Sequence, residues 1–399
     1  MSNMPIPTIL TAAQEFQLSI DEEVAGMLDT NCVIAIGTSG GKDSDASAIQ
    51  TIHFLNAINH VGPRVLIHAD LGGIEHTDSL PQCEQLASFL NLSLLVVRRK
   101  QGGLLERWEQ RWNGNLGRYR QLLCVTLITP WSSAGMRFCT SELKTSPITQ
   151  QLTARYPGQQ ILNVVGIRRE ESSARAAKPI SQEDPKLKRA AGTSGRSWYP
   201  ILDWKVGEVI ALHEREQFPL HYAYTNNGNS RVSCSFCVLS SIADLEASLR
   251  DERNHASWHR IVALEAISGF SFQPNRWLAD VRPELLTKSE QEAITTAKHR
   301  AVERRQAESI IPQHLRFTQG WPTEQPCLSD CALLASVRQT IASLYNFSIE
   351  HTTPESIYAH YQSLLQQKTS RKPRTRQIPV LTQAAPMLPF LDKGPASAQ

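Results

Sequence analysis

The apolar run Cys32-Val33-Ile34-Ala35-Ile36 leads directly into Gly37-Thr38-Ser39-Gly40-Gly41-Lys42-Asp43-Ser44. That order predicts a short buried strand, a glycine-rich turn and a helix over residues 45–56 bearing Ala46, Ala48, Ile49, Ile52, His53 and Phe54. Gly40 and Gly41 let the backbone come close to a ligand. Unpaired N–H groups at a helix start favour an anion. Lys42 adds positive charge, and Ser39 and Ser44 add hydroxyl donors. Such a turn is suited to phosphate, above all the pyrophosphate of a nucleotide. It is not a Walker loop, because Asp43 follows Lys42 where Ser or Thr is needed, and the dinucleotide glycine pattern is also missing.

Further strand-like runs follow at 64–68, 93–97 and 160–166, separated by helical patterns such as 79–90. Alternation of this kind predicts an α/β fold with a parallel sheet covered by helices on both faces. Ligands of such sheets bind beyond the carboxyl ends of the strands, so residues 38–44, Asp70 and Gly166-Ile167-Arg168 should meet in one crevice. Residues 100–135 are rich in Trp, Arg and Gly and read as a packed insertion or a substrate lid. Residues 178–197 read as a mobile basic loop. Beyond about 240 the chain looks mainly helical, with Ser289 and Glu292 as a capping box for a helix near 290–308. The expected organisation is an N-terminal extension (1–29), a nucleotide-binding α/β domain with a cysteine site (30–245), a helical region (246–366) and a basic, disordered tail (367–399).

With 399 residues, 20% charged composition and a net charge of +3, the chain suits a globular protein with no dominant polyanion partner. No apolar span of membrane length and no export signal are visible, so a reducing, cytoplasmic setting without a membrane partner is expected. Eight cysteines are too sparse for a disulfide scaffold and are better read as ligands, catalysts or core. Cys234-Ser235-Phe236-Cys237 suits half of a zinc site, a redox dithiol or part of an iron–sulfur site. With Cys139 it supplies three thiolates, enough for three irons of a 4Fe–4S cluster with one iron open. Cys124 is a weak fourth candidate, Cys327 and Cys331 a second pair or core, and Cys32 and Cys83 core. Asp70 is placed either to meet a ribose, adenine or magnesium ion or to close its own turn. In Gly166-Ile167-Arg168-Arg169-Glu170-Glu171-Ser172-Ser173-Ala174-Arg175, arginines can grip phosphate or sulfate, Glu171 can orient one of them, and Ser172 can donate to an anion.

Ser39-Gly40-Gly41-Lys42-Asp43-Ser44 is similar to the PP-loop of the ATP pyrophosphatases, which split ATP between its α and β phosphates. His68-Ala69-Asp70, Phe138-Cys139-Thr140 with Lys144 and Pro147, and Gly166-Ile167-Arg168 with Glu171, Ser172 and Arg175 follow in the order seen in the phosphoadenosine phosphosulfate (PAPS) reductase family. So do Tyr199-Pro200-Ile201-Leu202-Asp203-Trp204 and Gly228 with Arg231-Val232-Ser233-Cys234-Ser235-Phe236-Cys237. The resemblance covers residues 30–245 and implies a sheet of the adenine nucleotide α-hydrolase (HUP) type. True PAPS reductases resemble this chain but carry a C-terminal Glu-Cys-Gly-type nucleophile, absent here, and usually a degraded loop, intact here. The resemblance therefore points to the sulfur-transfer branch, with the DndC-type proteins of DNA phosphorothioation and the iron–sulfur tRNA thiolases. There ATP activates an acceptor oxygen as an adenylate and sulfur displaces AMP.

Carried over, it implies ATP, Mg²⁺ and a 4Fe–4S cluster. Lys42, Asp43, Arg168 and Arg175 would act in catalysis, while Ser39, Gly40, Gly41, Ser44, Asp70, Gly166, Glu171 and Ser172 hold the nucleotide. Cys139, Cys234 and Cys237 would hold the cluster. The implied partners are a nucleotide substrate, an acceptor that is DNA, tRNA or a small molecule, with the basic segments making a nucleic acid reasonable, and a sulfur-donor protein or thioredoxin. Two other readings stand beside this one: a sulfonucleotide reductase releasing sulfite, and a non-catalytic nucleotide sensor of a defence or DNA-modification system with zinc on its cysteines.

Overall fold

A computed structural model describes residues 16–189, 192–317 and 321–370. Its sheet has six strands: β1 (Val33–Thr38), β2 (Arg64–Asp70), β3 (Leu94–Arg98), β4 (Gln160–Val165), β5 (Ser181–Glu183) and β6 (Ser194–Trp198). They lie in the order β3-β2-β1-β4-β6-β5, and all neighbours are parallel except β5 and β6. Side chains alternate between the two faces of a strand. Ile34, Ile36, Leu66, Leu162 and Val164 accordingly pack on one side, with helices Glu22–Asp29, Lys42–Ala57, Ser79–Phe89 and Val206–Arg215. Val33, Ala35, Val65, Ile67, Ala69 and Ile161 pack on the other, with Leu152 of helix Ser146–Arg155. The expected parallel sheet with helices on both faces is what forms.

The described chain divides into two compact units. The first takes in residues up to Trp108, then Trp131–Ile267 and Ser271–Ile294, and contains the sheet. The second takes in Glu109–Pro130, Ser268–Phe270 and the described residues from Thr295 onward. Helices Leu328–Leu344 and Pro354–Ser370 pack together in it. Buried Arg338 there donates to the carbonyls of Tyr119, Arg120, Glu350 and His351. No helix among the described residues is long and apolar enough to cross a membrane. The expected basic tail falls outside the described residues from 371 on, and residues 367–370 continue helix Pro354–Ser370.

Three local expectations need correction or sharpening. Residues 178–197 are not one open loop, because β5 and β6 pair antiparallel at the sheet edge. Leu187, fully buried between them, anchors the connection (190 and 191 lie outside the described residues). The tryptophan-rich stretch is packed: Trp108 meets Trp131 and Phe272 edge-on, at 5.3 and 5.7 Å between ring centroids. Helix Lys288–Ser309 is capped two residues earlier than expected. Thr287 N–H donates to Glu290 at 2.8 Å and Glu290 N–H to the Thr287 hydroxyl at 3.3 Å, so the box is Thr287/Glu290.

The fold positions its phosphate turn through a close approach at the end of β4. A Cβ on Gly166 would lie 2.5 Å from the Asp43 carbonyl oxygen and 2.9 Å from Ser44 Cα, both backbone atoms that cannot swing away. Gly166→Ala should therefore destabilise the protein by about 2 kcal/mol. Gly114→Ala, inside helix Leu104–Arg120 with nothing within 4 Å, should be neutral or stabilising by up to about 1 kcal/mol. Urea unfolding of the two variants checks the contrast, and equal effects would contradict it.

Candidate functional site

Helix Lys42–Ala57 begins at Gly41, which has no side chain to cap it. The turn before it is held from within. Ser44 Oγ donates to the Gly41 carbonyl at 2.8 Å, and Ser39 N–H donates to Ser44 Oγ at 3.3 Å. Gly40 has φ of +72°, and a Cβ there would stand 2.9 Å from the Ser79 carbonyl, so only glycine serves. His213 Nε2 donates to the Lys42 carbonyl at 3.0 Å and fixes the first helical turn. Behind the turn, fully buried Asp45 accepts from Gln82 at 3.2 Å, Ser44 at 3.2 Å and Thr38 at 3.5 Å. Burial pushes its pKa up to about 6, against those hydrogen bonds.

Asp43 and Arg168 meet across the crevice. Arg168 Nε donates to Asp43 Oδ1 at 2.5 Å, its other side pairs with Glu170, and its backbone N–H donates to Glu171 at 2.8 Å. Lys42 Nζ is 3.5 Å from Asp43. Arg168 is 4% exposed, so it is an embedded charge set beside the turn rather than a free arm. Arg175 pairs with Glu171, and Ser172 Oγ accepts from Arg175 N–H at 3.3 Å, placing all three on one short exposed turn. Asp70 accepts from Gly72 N–H at 2.6 Å and from Arg98 Nε at 2.7 Å, so its carboxylate closes its own turn. Beyond Asp70 and Arg98 opens a cavity of about 540 Å³ lined by both, His76, Arg99, Arg253 and Ser257 among others.

The cysteine segment packs against the same turn. A Cβ on Gly41 would lie 3.6 Å from the Val232 carbonyl oxygen, two residues before Cys234. Cys234 pairs as an isolated bridge with Glu75, and Ser235 N–H donates to the Ile74 carbonyl at 2.8 Å. Cys139, Cys234 and Cys237 are free and half-buried. Burial pushes the Cys234 thiol up, nearby Lys144 opposes this, and the neighbouring Cys237 and Cys139 add to the rise. The three thiols thus share one electrostatic neighbourhood, drawn from the turn at Phe138–Thr140 and from the Cys-x₂-Cys segment. Among the described residues no three His, Cys, Asp or Glu groups are gathered at the spacing of a single metal ion.

The other cysteines take other roles. Cys124 is buried in the second unit, which pushes its pKa up to about 11. Cys327 caps helix Leu328–Leu344, accepting from Asp330 N–H at 3.4 Å, and Cys331 is buried.

His68, from the His68-Ala69-Asp70 motif, joins the turn at 38–44 to the cysteine segment. His68 Nδ1 lies 3.1 Å from the Thr38 carbonyl, which can only accept, so that nitrogen carries a proton. Its Nε2 lies 3.3 Å from Glu75 Oε2, where a bare lone pair would face a carboxylate. With both ring nitrogens facing oxygens, the charged form of the ring is favoured. Burial opposes the charge, but Cys83, 3.6 Å from Nδ1, and Glu75 outweigh it and push the pKa up to about 10. Glu75, Asp45, His213 and Tyr224 carried no sequence signal, because each acts across a fold contact rather than within a motif.

The folded-state pKa of His68 lies above its ordinary value of 6.5, so the stability it contributes is complete below pH 6.5 and is lost as pH rises through 10. His68→Gln should remove that part. The gap in unfolding free energy between wild type and variant should shrink from pH 6.5 to 10 in urea titrations. A gap independent of pH would contradict the imidazolium.

With the geometry in hand, comparison with known proteins is informative. The chain is 29% identical over 276 residues to an uncharacterized 37.8 kDa protein in the gpa 5′ region of Escherichia phage 186, a match covering 59% of this chain and 79% of that protein. Similar solved structures include the phosphoadenylyl-sulfate (PAPS) reductase of Candida auris, in a phosphate complex (14% identity, TM-score 0.31, covering 50% of this chain and 80% of that one). They also include the U34-tRNA thiolase NcsA of Methanococcus maripaludis with its [4Fe-4S] cluster (14% identity, TM-score 0.34, covering 81% and 84%). The phosphoadenosine phosphosulfate reductase domain matches residues 33–239, a span that contains both the phosphate turn and the Cys-x₂-Cys segment. That span is more than half of the chain, and the protein belongs to the phosphoadenosine phosphosulfate reductase domain family.

Proposed function

We propose that the protein is an ATP pyrophosphatase-type sulfurtransferase. It would adenylate an acceptor oxygen, with a nucleic acid as the favoured acceptor, and replace AMP by sulfur. The observation that carries this reading is the packing of Val232, just before Cys234, against Gly41 of an intact phosphate turn. That contact sets the segment leading to Cys234 beside the turn proposed to bind phosphate.

The start of helix Lys42–Ala57 would receive the polyphosphate, with Ser39 and Ser44 bounding the turn. Lys42 would offset charge developing on the departing pyrophosphate. Asp43 would keep Lys42 and Arg168 apart and oriented, and Arg168 would present fixed positive charge near the α phosphate. Arg175, with Glu171 and Ser172, would steer the nucleotide or the activated acceptor from the surface turn. Asp70 would shape the crevice wall through its own turn. Mg²⁺ would enter with the nucleotide, held largely by phosphate oxygens. A 4Fe–4S cluster on Cys139, Cys234 and Cys237 would supply an open iron for sulfur. Lys144 would favour the thiolate form of Cys234.

Lys42→Ala should slow pyrophosphate release from ATP by about 100-fold. Cys237→Ser should abolish sulfur transfer to acceptor while leaving ATP affinity within about twofold of wild type, since the thiol lies outside the phosphate turn. Pyrophosphate release and incorporation of labelled sulfide, measured anaerobically, check both. Normal sulfur transfer by Cys237→Ser would refute the role of the cysteines, and sulfite release from a sulfonucleotide with thioredoxin would favour a reductase.

A further inference from the structure

Tyr224 belongs to no motif, yet it touches the phosphate turn in three ways. Its ring lies under Lys42, with Nζ 4.7 Å from the ring centroid. Its phenol oxygen accepts from Val232 N–H at 3.1 Å, and the Lys42 N–H also faces that oxygen. A Cβ on Gly41 would lie 3.6 Å from the same oxygen. The residue sits in the short helix Ala223–Asn227, where its own N–H donates to the His221 carbonyl at 2.9 Å.

These contacts are specific to a tyrosine. An aromatic face attracts an ammonium and an aliphatic side chain does not. A helix that starts at glycine lacks a side-chain cap, and the phenol brings an oxygen to that uncapped end. The Lys42 ammonium also lies 3.5 Å from Asp43, whose other oxygen pairs with Arg168.

We infer that Tyr224 is the positioning residue for Lys42: its ring presents the ammonium to the phosphate turn, and its hydroxyl holds that turn against the segment leading to Cys234. The purpose of this arrangement rests on the nucleotide reading given above; the contact itself does not.

Two measurements test it. The first is competitive acetylation of the full-length protein, with Lys42 modification followed by mass spectrometry. Tyr224→Leu should raise the Lys42 labelling rate several-fold, and Tyr224→Phe, which keeps the ring, should leave it within about twofold of wild type. Equal labelling in wild type and Tyr224→Leu overturns the inference. The second is calorimetric affinity for an ATP analogue with a methylene between its α and β phosphates, in a double-mutant cycle. Lys42→Ala and Tyr224→Leu should each weaken binding about tenfold, and the double variant should bind within about twofold of Lys42→Ala. Losses that multiply would mean that Tyr224 acts by packing alone, and would overturn the inference. If Lys42→Ala leaves affinity unchanged while Tyr224→Leu still speeds labelling, the nucleotide reading fails and the hold of Tyr224 on Lys42 stands.

Discussion

The site depends on a helix that begins without a cap. Most helix starts satisfy their first N–H groups with a Ser, Thr, Asp or Asn side chain. Helix Lys42–Ala57 starts at glycine and has no such cap of its own. Such an end is stable only if the surrounding structure holds it in place. Gly166 does so by letting β4 approach to within contact of Asp43 and Ser44, and His213 does so by binding the Lys42 carbonyl. Buried Asp45 anchors the turn from behind.

The charges around this end are arranged in pairs rather than left loose. Arg168, Asp43 and Lys42 form a line of alternating sign beside the turn, and Arg175 with Glu171 repeats the pattern nearer the surface. Pairing holds each group in one orientation, so on the proposed reading a phosphate would meet an arranged field with little reorganisation. His68 extends the same logic inward. As a buried cation between the Thr38 carbonyl and the Glu75 carboxylate, it links the end of β1 to the loop that pairs with Cys234. The phosphate turn and the cysteine segment are therefore held together by polar contacts as well as by packing.

Much of this was legible in the order of residues. Strands β1, β2, β3 and β4 stand out because each is a short apolar run before a turn, and the phosphate turn stands out because its glycines, lysine and serines are contiguous. The Cys-x₂-Cys pair and Cys139 are equally visible. The rest was hidden where the deciding contact spans distant residues. Nothing local to Tyr224 says that it lies beneath Lys42, and nothing near Glu75 says that it faces both His68 and Cys234. The edge pair β5–β6 was obscured because its strands are short and polar and the connection between them is basic, with one buried leucine, Leu187, anchoring it. The helix cap was misplaced by two residues because Thr287 and Ser289 both precede an acidic residue by three, and only the backbone geometry chooses between them.

The central claim is that the uncapped turn binds ATP for cleavage between its α and β phosphates. Phosphorus NMR of ATP incubated anaerobically with the protein, sulfide and a nucleic-acid acceptor tests it most directly. The account predicts AMP and pyrophosphate as products. ADP with orthophosphate, or ATP that neither binds nor turns over, would contradict it.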